Sequence, residues 1–237
     1  MSEAIRVEGL VKSFGPARAL DGLQLSVLAG EAHGLLGAAG AGKTTAFRVL
    51  LGLVQADSGI ARLLDGDCWR DGVRLHRRLA YAPTAVRFWP NLSGGEIIDF
   101  LCRLRGGQLD GRRRDDLIDR LSLNPHRKAR KYSAGERQKL AVISALASDA
   151  ELLLLDQPTS EMDPTARAVV RVGLLEAKQR GQTILLSGES LDELADVCDR
   201  ISVIRSGRTI ESGSPHSAMG DALVSRDRVV EDRKVAT

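Results

Sequence analysis

An α/β fold with a mainly parallel sheet, a β-rich opening and a helical insertion is predicted from three features of the sequence. Glu151-Leu-Leu-Leu-Leu-Asp156 and Thr183-Ile-Leu-Leu-Ser187 are short, continuous apolar runs, the pattern of parallel strands covered on both faces. Between about Val86 and Leu146 the periodicity is helical. Ala32-His-Gly-Leu-Leu36 reads as a buried strand running into Gly37-Ala-Ala-Gly-Ala-Gly-Lys43-Thr44-Thr45, whose G-x-x-x-x-G-K-[ST] spacing builds a phosphate-cradling loop (P-loop) between strand and helix.

In chain order, Ile5 to Leu10 and Leu23 to Leu28 alternate as strands around a Gly-Pro turn, and Ile60 to Leu64 extends this opening, which is expected to form an N-terminal antiparallel β subdomain. The P-loop helix is expected from Lys43 to about Leu53. Helices follow near 94–105, 112–122 and 136–147, separated by Gly106-Gly107 and Asn124-Pro125. Ser93 with Glu96 forms an S-x-x-E capping box that opens the first of them. Asp163 caps a helix with Pro164 at its first position, and Ile201 to Ile204 and Thr209 to Glu211 suggest two final strands. The expected organisation is one domain over 1–220, with 1–85 and 151–220 forming a P-loop NTPase core with its β subdomain and 86–150 an α-helical subdomain. The charged tail over 221–237 is expected to be disordered.

A length of 237 residues at 43% hydrophobic suffices for a sizeable core. No stretch approaches the roughly 20 apolar residues that span a bilayer. The opening residues lack the basic and apolar regions of a signal peptide, so a cytosolic chain is expected. Three scattered cysteines, Cys68, Cys102 and Cys198, suggest buried thiols, neither a disulfide framework nor a metal cluster. The net charge of +3 does not by itself imply nucleic acid, and none is expected. Residues 101–140 are locally basic, from Arg103 and Arg105 through Arg112 to Arg114 and on to Lys139; a solvated helical face and contacts to phosphates or lipid head groups are both open readings.

The P-loop implies nucleotide binding. Gly37, Ala38, Ala39, Gly40, Ala41 and Gly42 are small enough for successive backbone N–H groups to turn inward around the β- and γ-phosphates, and the following helix points its positive end at the same anion. Lys43 would reach the terminal phosphates, Thr44 would place its hydroxyl on Mg²⁺, and Thr45 would support the phosphates. Asp156, at the end of an apolar strand, can hold Mg²⁺ through its water shell opposite Thr44. Upstream, Tyr132-Ser-Ala-Gly-Glu-Arg-Gln138 opens a helix. Ser133 and Glu136 form a second capping box, so Ser133 and Gly135 offer a hydroxyl, free N–H groups and a helix dipole to an anion.

With Pro158-Thr-Ser-Glu-Met-Asp-Pro164 directly after the Asp156 strand, these segments resemble the ATP-binding subunit of an ATP-binding cassette (ABC) transporter over roughly residues 3 to 215. The resemblance implies ATP and Mg²⁺ as ligands and a separate membrane permease as partner. It also implies a second ATP-binding cassette in a head-to-tail dimer, where Ser133 and Gly135 face the γ-phosphate held by the other P-loop. Phe14 matches the family's adenine-stacking aromatic. The implied location is peripheral, on the cytoplasmic face of the cell membrane. Leu92-Ser-Gly-Gly-Glu96 looks like the family signature but lies too far upstream of Asp156 to be it. Tyr81-Ala-Pro-Thr84 through Ser93, and Leu140 to Pro164, look most similar to bacterial export cassettes, including drug and antibiotic exporters.

Four positions depart from the family pattern. Gln157 stands where a glutamate usually polarises the attacking water, and an amide orients water but cannot accept its proton. Loss of a general base costs about 10²–10⁴-fold, so hydrolysis at this site is expected to be slow while binding persists. Glu189 replaces the usual histidine beside the γ-phosphate, and it is a candidate base in place of Gln157. Thr84 replaces a longer glutamine that links Mg²⁺ to the permease interface, and Ala134 replaces a signature glycine. The alternative reading is an essentially non-hydrolytic nucleotide-binding regulatory subunit paired with an active cassette.

Overall fold

The computed structural model describes residues 2–107 and 109–215; the expected charged tail lies outside them. In chain order the elements are β1 (Glu3–Phe14), β2 (Ala17–Leu28), β3 (Ala32–Leu36), α1 (Lys43–Leu50), β4 (Ser58–Leu63), β5 (Gly66–Asp67), α2 (Gly72–His76), β6 (Leu79–Ala82) and α3 (Gly94–Arg105). They continue with α4 (Gly111–Arg120), α5 (Ala134–Leu146), β7 (Leu152–Asp156), α6 (Pro164–Gln179), β8 (Thr183–Gly188), α7 (Leu191–Ala195), β9 (Arg200–Arg205) and β10 (Arg208–Gly213).

Two sheets organise these elements. The first is antiparallel, in the order β2-β1-β4-β5, and its β1–β2 hairpin closes on Phe14 paired with Ala17 around Gly15-Pro16. Both hairpin strands extend beyond the expected segments. Register shifts between Val7 and Leu10 and between Lys12 and Ser13 break the strict alternation that a sequence pattern relies on. The second sheet runs β10-β9-β3-β8-β7-β6, parallel throughout except for β10 at its edge. The fold is therefore α/β, with a mainly parallel sheet, an antiparallel β unit and a run of helices between β6 and β7.

Both faces of the parallel sheet are covered. Leu153 and Leu155 of β7 pack into the cluster that holds α3, α4, α5 and α6, while Leu152 and Leu154 pack with α1 and the antiparallel sheet. All five residues of β7 are buried, which is why its sequence shows no polar alternation. Cys68, Cys102 and Cys198 are all buried free thiols, and burial pushes Cys68 and Cys198 up to about 12.

The helix ends follow local chemistry. Ser93 and Glu96 make both bonds of a capping box on α3, Ser133 and Glu136 do the same on α5, and Asp163 Oδ1 accepts the Ala166 N–H (2.9 Å) with Pro164 at the first position of α6. Helix α1 stops short of Leu53 because Gly52 N–H closes on Val49 O and Leu53 N–H on Arg48 O, a terminating motif. The stretch 86–93 is not helical, although the periodicity had suggested helix from Val86. Strand β6 and the five-residue helices α2 and α7 had no sequence-level expectation, being too short for a period to register.

Candidate functional site

The ends of three adjacent parallel strands bring the site together. Leu36 pairs with Gly188 and Asp156 with Ser187, so the turns after β3, β7 and β8 meet at one sheet edge, outside the carboxyl ends of the strands, where open α/β sheets bind ligands. Gly37, Lys43, Thr44, Asp156, Gln157 and Glu189 all stand there.

The P-loop is built by close backbone approach. Gly37 N–H donates to Gly188 O (3.2 Å) and Ala41 N–H to Ala38 O (3.1 Å), and Ala38, Ala39 and Gly40 are exposed at the tip. Gly42 has φ +109°, and a Cβ there would lie 2.5 Å from Ala19 O, so only glycine fits beside the hairpin. Directly after it α1 begins with no side-chain cap, and its first N–H groups remain free for an anion. Lys43 is 4% exposed and folds back over the loop, with Nζ 2.6 Å from Gly37 O, 3.0 Å from Ala38 O and 3.7 Å from Glu189 Oε1. Thr45 is half-buried on the first turn of α1.

Asp156 is fully buried and both its oxygens are engaged. Oδ2 accepts from Thr44 Oγ1 at 2.8 Å and Oδ1 from Ser187 Oγ at 2.7 Å. Two hard oxygen donors this close, one a carboxylate, fit a Mg²⁺ ion whose remaining positions are filled by phosphate oxygens and water. Among the described residues no cluster of three or more His, Cys, Asp or Glu is placed to hold a metal ion. Burial, with the Asp156 charge adding to it, pushes the nearby Tyr81 phenol up to about 12 and keeps it protonated. Thr84 Oγ1 donates to Asp156 O (2.9 Å), so it binds the strand end through the backbone.

Gln157 adopts left-handed backbone geometry, with φ +48°. Its N–H donates to Ser187 Oγ (3.0 Å), and its side-chain Nε2 donates to Glu189 Oε1 at 2.7 Å. Glu189 Oε1 thus faces the Gln157 amide and the Lys43 ammonium together. Neither Ser187 nor Gln138, whose amide holds the 157–161 loop, was singled out from the sequence; each looks like an ordinary strand or helix residue until its neighbours are known.

The other candidate phosphate contacts lie elsewhere on the surface. Ser133 and Ala134 are exposed at the start of α5, and Arg127 stands 2.6 Å from Glu136 Oε1, offsetting the carboxylate beside that helix end. A Cβ on Gly135 would come 2.6 Å from Glu161 O, so this glycine is required by the loop packed against it. Among the described residues no hydrogen bond or ion pair joins Ser133 or Gly135 to the P-loop of the same chain. Phe14 is 48% exposed at the end of the β1–β2 hairpin and does not belong to the core; Lys12 Nζ lies 5.6 Å from its ring centroid. The same hairpin places Ala19 against Gly42, so Phe14 sits on the unit that borders the P-loop.

About half of the Lys and Arg side chains between 101 and 140 have an acidic partner among the described residues. Arg113 meets Asp110, Arg114 meets Asp99, Arg120 meets Asp116 and Glu176, Lys128 meets Glu96, and Lys139 lies 3.8 Å from Asp163. Among the described residues no helix is long and apolar enough to cross a membrane.

Comparison with known proteins gives a consistent result. Residues 20–160 match the family described as ABC transporter. The chain is 35% identical over 215 residues to the daunorubicin resistance ATP-binding protein DrrA3 of Streptomyces coeruleorubidus, covering 89% of this chain and 68% of that one. It is 34% identical to the Nod factor export ATP-binding protein I of Ralstonia nicotianae (90% and 67% covered) and 32% identical to the osmoprotectant import ATP-binding protein OsmV of Salmonella typhimurium (96% and 65%). It therefore spans about two thirds of the length of these relatives. A dimeric post-hydrolysis structure of the ATP-binding cassette MJ0796 bound to ADP and Pi superposes with a TM-score of 0.80 at 18% identity, covering 89% of this chain and 98% of that one.

Proposed function

This chain belongs to the ABC transporter family, and from that premise we propose that it is a Mg-ATP-binding subunit that drives export through a separate membrane permease, with slow hydrolysis at its own site. The P-loop from Gly37 to Gly42, with Lys43 and Thr45, holds the phosphates, Thr44 and Asp156 hold Mg²⁺, and Phe14 stacks on adenine. Ser133 and Gly135 complete the site of a second cassette in a head-to-tail dimer. The subunit works peripherally at the cytoplasmic face of the membrane, docked on its permease. The names of the resistance and export relatives support the direction, and the dimeric cassette of the same fold supports the pairing.

One observation carries the claim of slow hydrolysis. The side chain directly after Asp156 is an amide that donates to Glu189, so position 157 can orient water but not take its proton. Glu189 is the carboxylate left at the phosphate side, because both Asp156 oxygens are occupied. In the turnover that remains, water attacks the γ-phosphorus, the bond to the β-phosphate oxygen breaks, ADP departs and the water proton passes to Glu189. A non-hydrolytic regulatory role is the second reading; it is favoured by the hold of Lys43 and Gln157 on that same carboxylate.

The experiment is copurification from membranes followed by ATP turnover of the assembled complex, with and without Gln157→Glu. A permease and a second cassette in the complex, nucleotide binding with low turnover, and a rise in Gln157→Glu support the proposal. A complex without a membrane subunit, or rapid turnover at this chain's own site, overturns it.

A further inference from the structure

Phe14 is 48% exposed, and among the described residues no other aromatic ring stacks on it. A side chain this exposed is not fixed by core packing, so its position rests on the backbone beneath it. The two residues before it are held by one carboxylate. Lys12 Nζ donates to Asp57 Oδ1 (2.7 Å) and Ser13 N–H donates to Asp57 Oδ2 (2.6 Å). Asp57 N–H in turn donates to Val11 O (2.9 Å), so Asp57, in the segment between α1 and β4, grips the three residues that precede the ring.

The hairpin is anchored from its other strand as well. Asp21 N–H donates to Gly207 O (2.9 Å) and Gly207 N–H donates to Ala41 O (2.9 Å), which stitches β2 to the P-loop. On the β1 side a register shift between Lys12 and Ser13 interrupts the ladder, and there the Asp57 carboxylate takes over. Lys12 Nζ lies 5.6 Å from the Phe14 ring centroid, within cation–π reach, so one face of the ring is occupied by an ammonium that Asp57 holds. Solvent-exposed ion pairs add little to stability, so a carboxylate with both oxygens committed here acts chiefly on geometry.

The structure assigns Asp57 as the positioning residue for Phe14. Through Ser13 N–H it fixes the backbone that carries the ring, and through Lys12 it keeps a cation on one face, leaving the opposite face for a nucleobase. The inference rests on the proposed stacking of adenine on Phe14. With the hairpin held to the P-loop through Gly207 and to the segment after α1 through Asp57, ring and phosphate cradle stand at a set spacing before the nucleotide arrives. Binding then has less side chain to immobilise, and affinity gains by that amount.

The test is a double-mutant cycle on the full chain, with equilibrium binding of Mg-ATP set beside that of magnesium tripolyphosphate, which has the phosphates but no base. Stacking of a base on an aromatic side chain is worth about 5- to 150-fold by alanine substitution, so Phe14→Ala should weaken Mg-ATP within that range. Asp57→Ala and Lys12→Met should each weaken Mg-ATP by about 2- to 12-fold, the cost of ordering one free side chain. Neither should alter tripolyphosphate affinity, and Asp57→Ala should add nothing once Phe14 is alanine. Asp57→Asn keeps an acceptor for Ser13 N–H and should recover part of the loss. Should Asp57→Ala not fold, Lys12→Met takes its place in the cycle. Unchanged Mg-ATP affinity in either single variant, an equal loss for tripolyphosphate, or additive losses in the double variant overturns the inference while the stacking on Phe14 stands. If Phe14→Ala itself leaves Mg-ATP affinity unchanged, the stacking fails and the inference with it.

Discussion

Gln157 Nε2 lies 2.7 Å from Glu189 Oε1, so the amide that follows the buried Asp156 points its donor at the carboxylate that follows β8. Acid and amide are thereby fixed in one orientation, with Lys43 on the same carboxylate oxygen. The carboxylate that the proposed turnover uses as its proton acceptor follows β8, not β7.

Turnover should respond to both members of this pair. Gln157→Glu restores an acceptor beside the reacting phosphate, and a base contributes about 10²–10⁴-fold. Part of that gain is lost to repulsion from Glu189, because adjacent carboxylates do not both ionise freely. The gain should therefore be larger in Gln157→Glu combined with Glu189→Gln, while Glu189→Gln alone abolishes the residual turnover and leaves nucleotide affinity intact. Steady-state phosphate release and equilibrium nucleotide binding measure the two separately.

Thr44→Ala removes the hydroxyl donor to Asp156 Oδ2 and one of the two proposed cation contacts. Leaving a buried carboxylate oxygen short of a partner costs about 1–3 kcal/mol, visible as a lower Tm. Nucleotide binding should lose its Mg²⁺ dependence in the variant, and EDTA should weaken the wild type to the variant's level. Equal sensitivity to EDTA in both proteins would remove Thr44 from the cation site.

The two small residues at the start of α5 should behave oppositely. Gly135→Ala forces a methyl to 2.6 Å from Glu161 O, a backbone atom that cannot turn aside, and should destabilise by about 1–3 kcal/mol. Ala134 is exposed, so Ala134→Gly should change stability by less than about 1 kcal/mol. Chemical denaturation of the two variants side by side tests this.

Acid stability should depend on the Arg78 fork. Its Nε and Nη2 lie 2.6 and 2.7 Å from the Glu151 oxygens and hold that carboxyl below its ordinary value. A depressed folded-state value means the stabilisation is present above the unfolded value and lost as pH falls through the folded one. Because both side chains are partly exposed, the pair contributes only about 0.5–1 kcal/mol. Arg78→Met should lower stability by that amount near neutrality and should converge with the wild type at pH values below the carboxylate range.

Much of the framework was legible because its signals are local. Ser93 with Glu96, Ser133 with Glu136 and Asp163 with Pro164 each announce a helix start from four residues or fewer, and the leucines of β7 announce a strand covered on both sides. Strands β1 and β2 were seen only in part, because bulges shift the alternation. Strand β6 was missed because four residues at the sheet edge carry no period of their own.

The sequence by itself determined the P-loop, the carboxylate at the end of β7 and the absence of an acid at position 157, since residue type and spacing suffice for each. Only the tertiary structure decided that Ser187 holds Asp156, that Gln157 and Glu189 share a hydrogen bond, and that Gln138 brackets the 157–161 loop. Those contacts join residues 19 to 32 positions apart, and the parallel register of β7 and β8, with α5 laid against the loop, brings them within bonding distance.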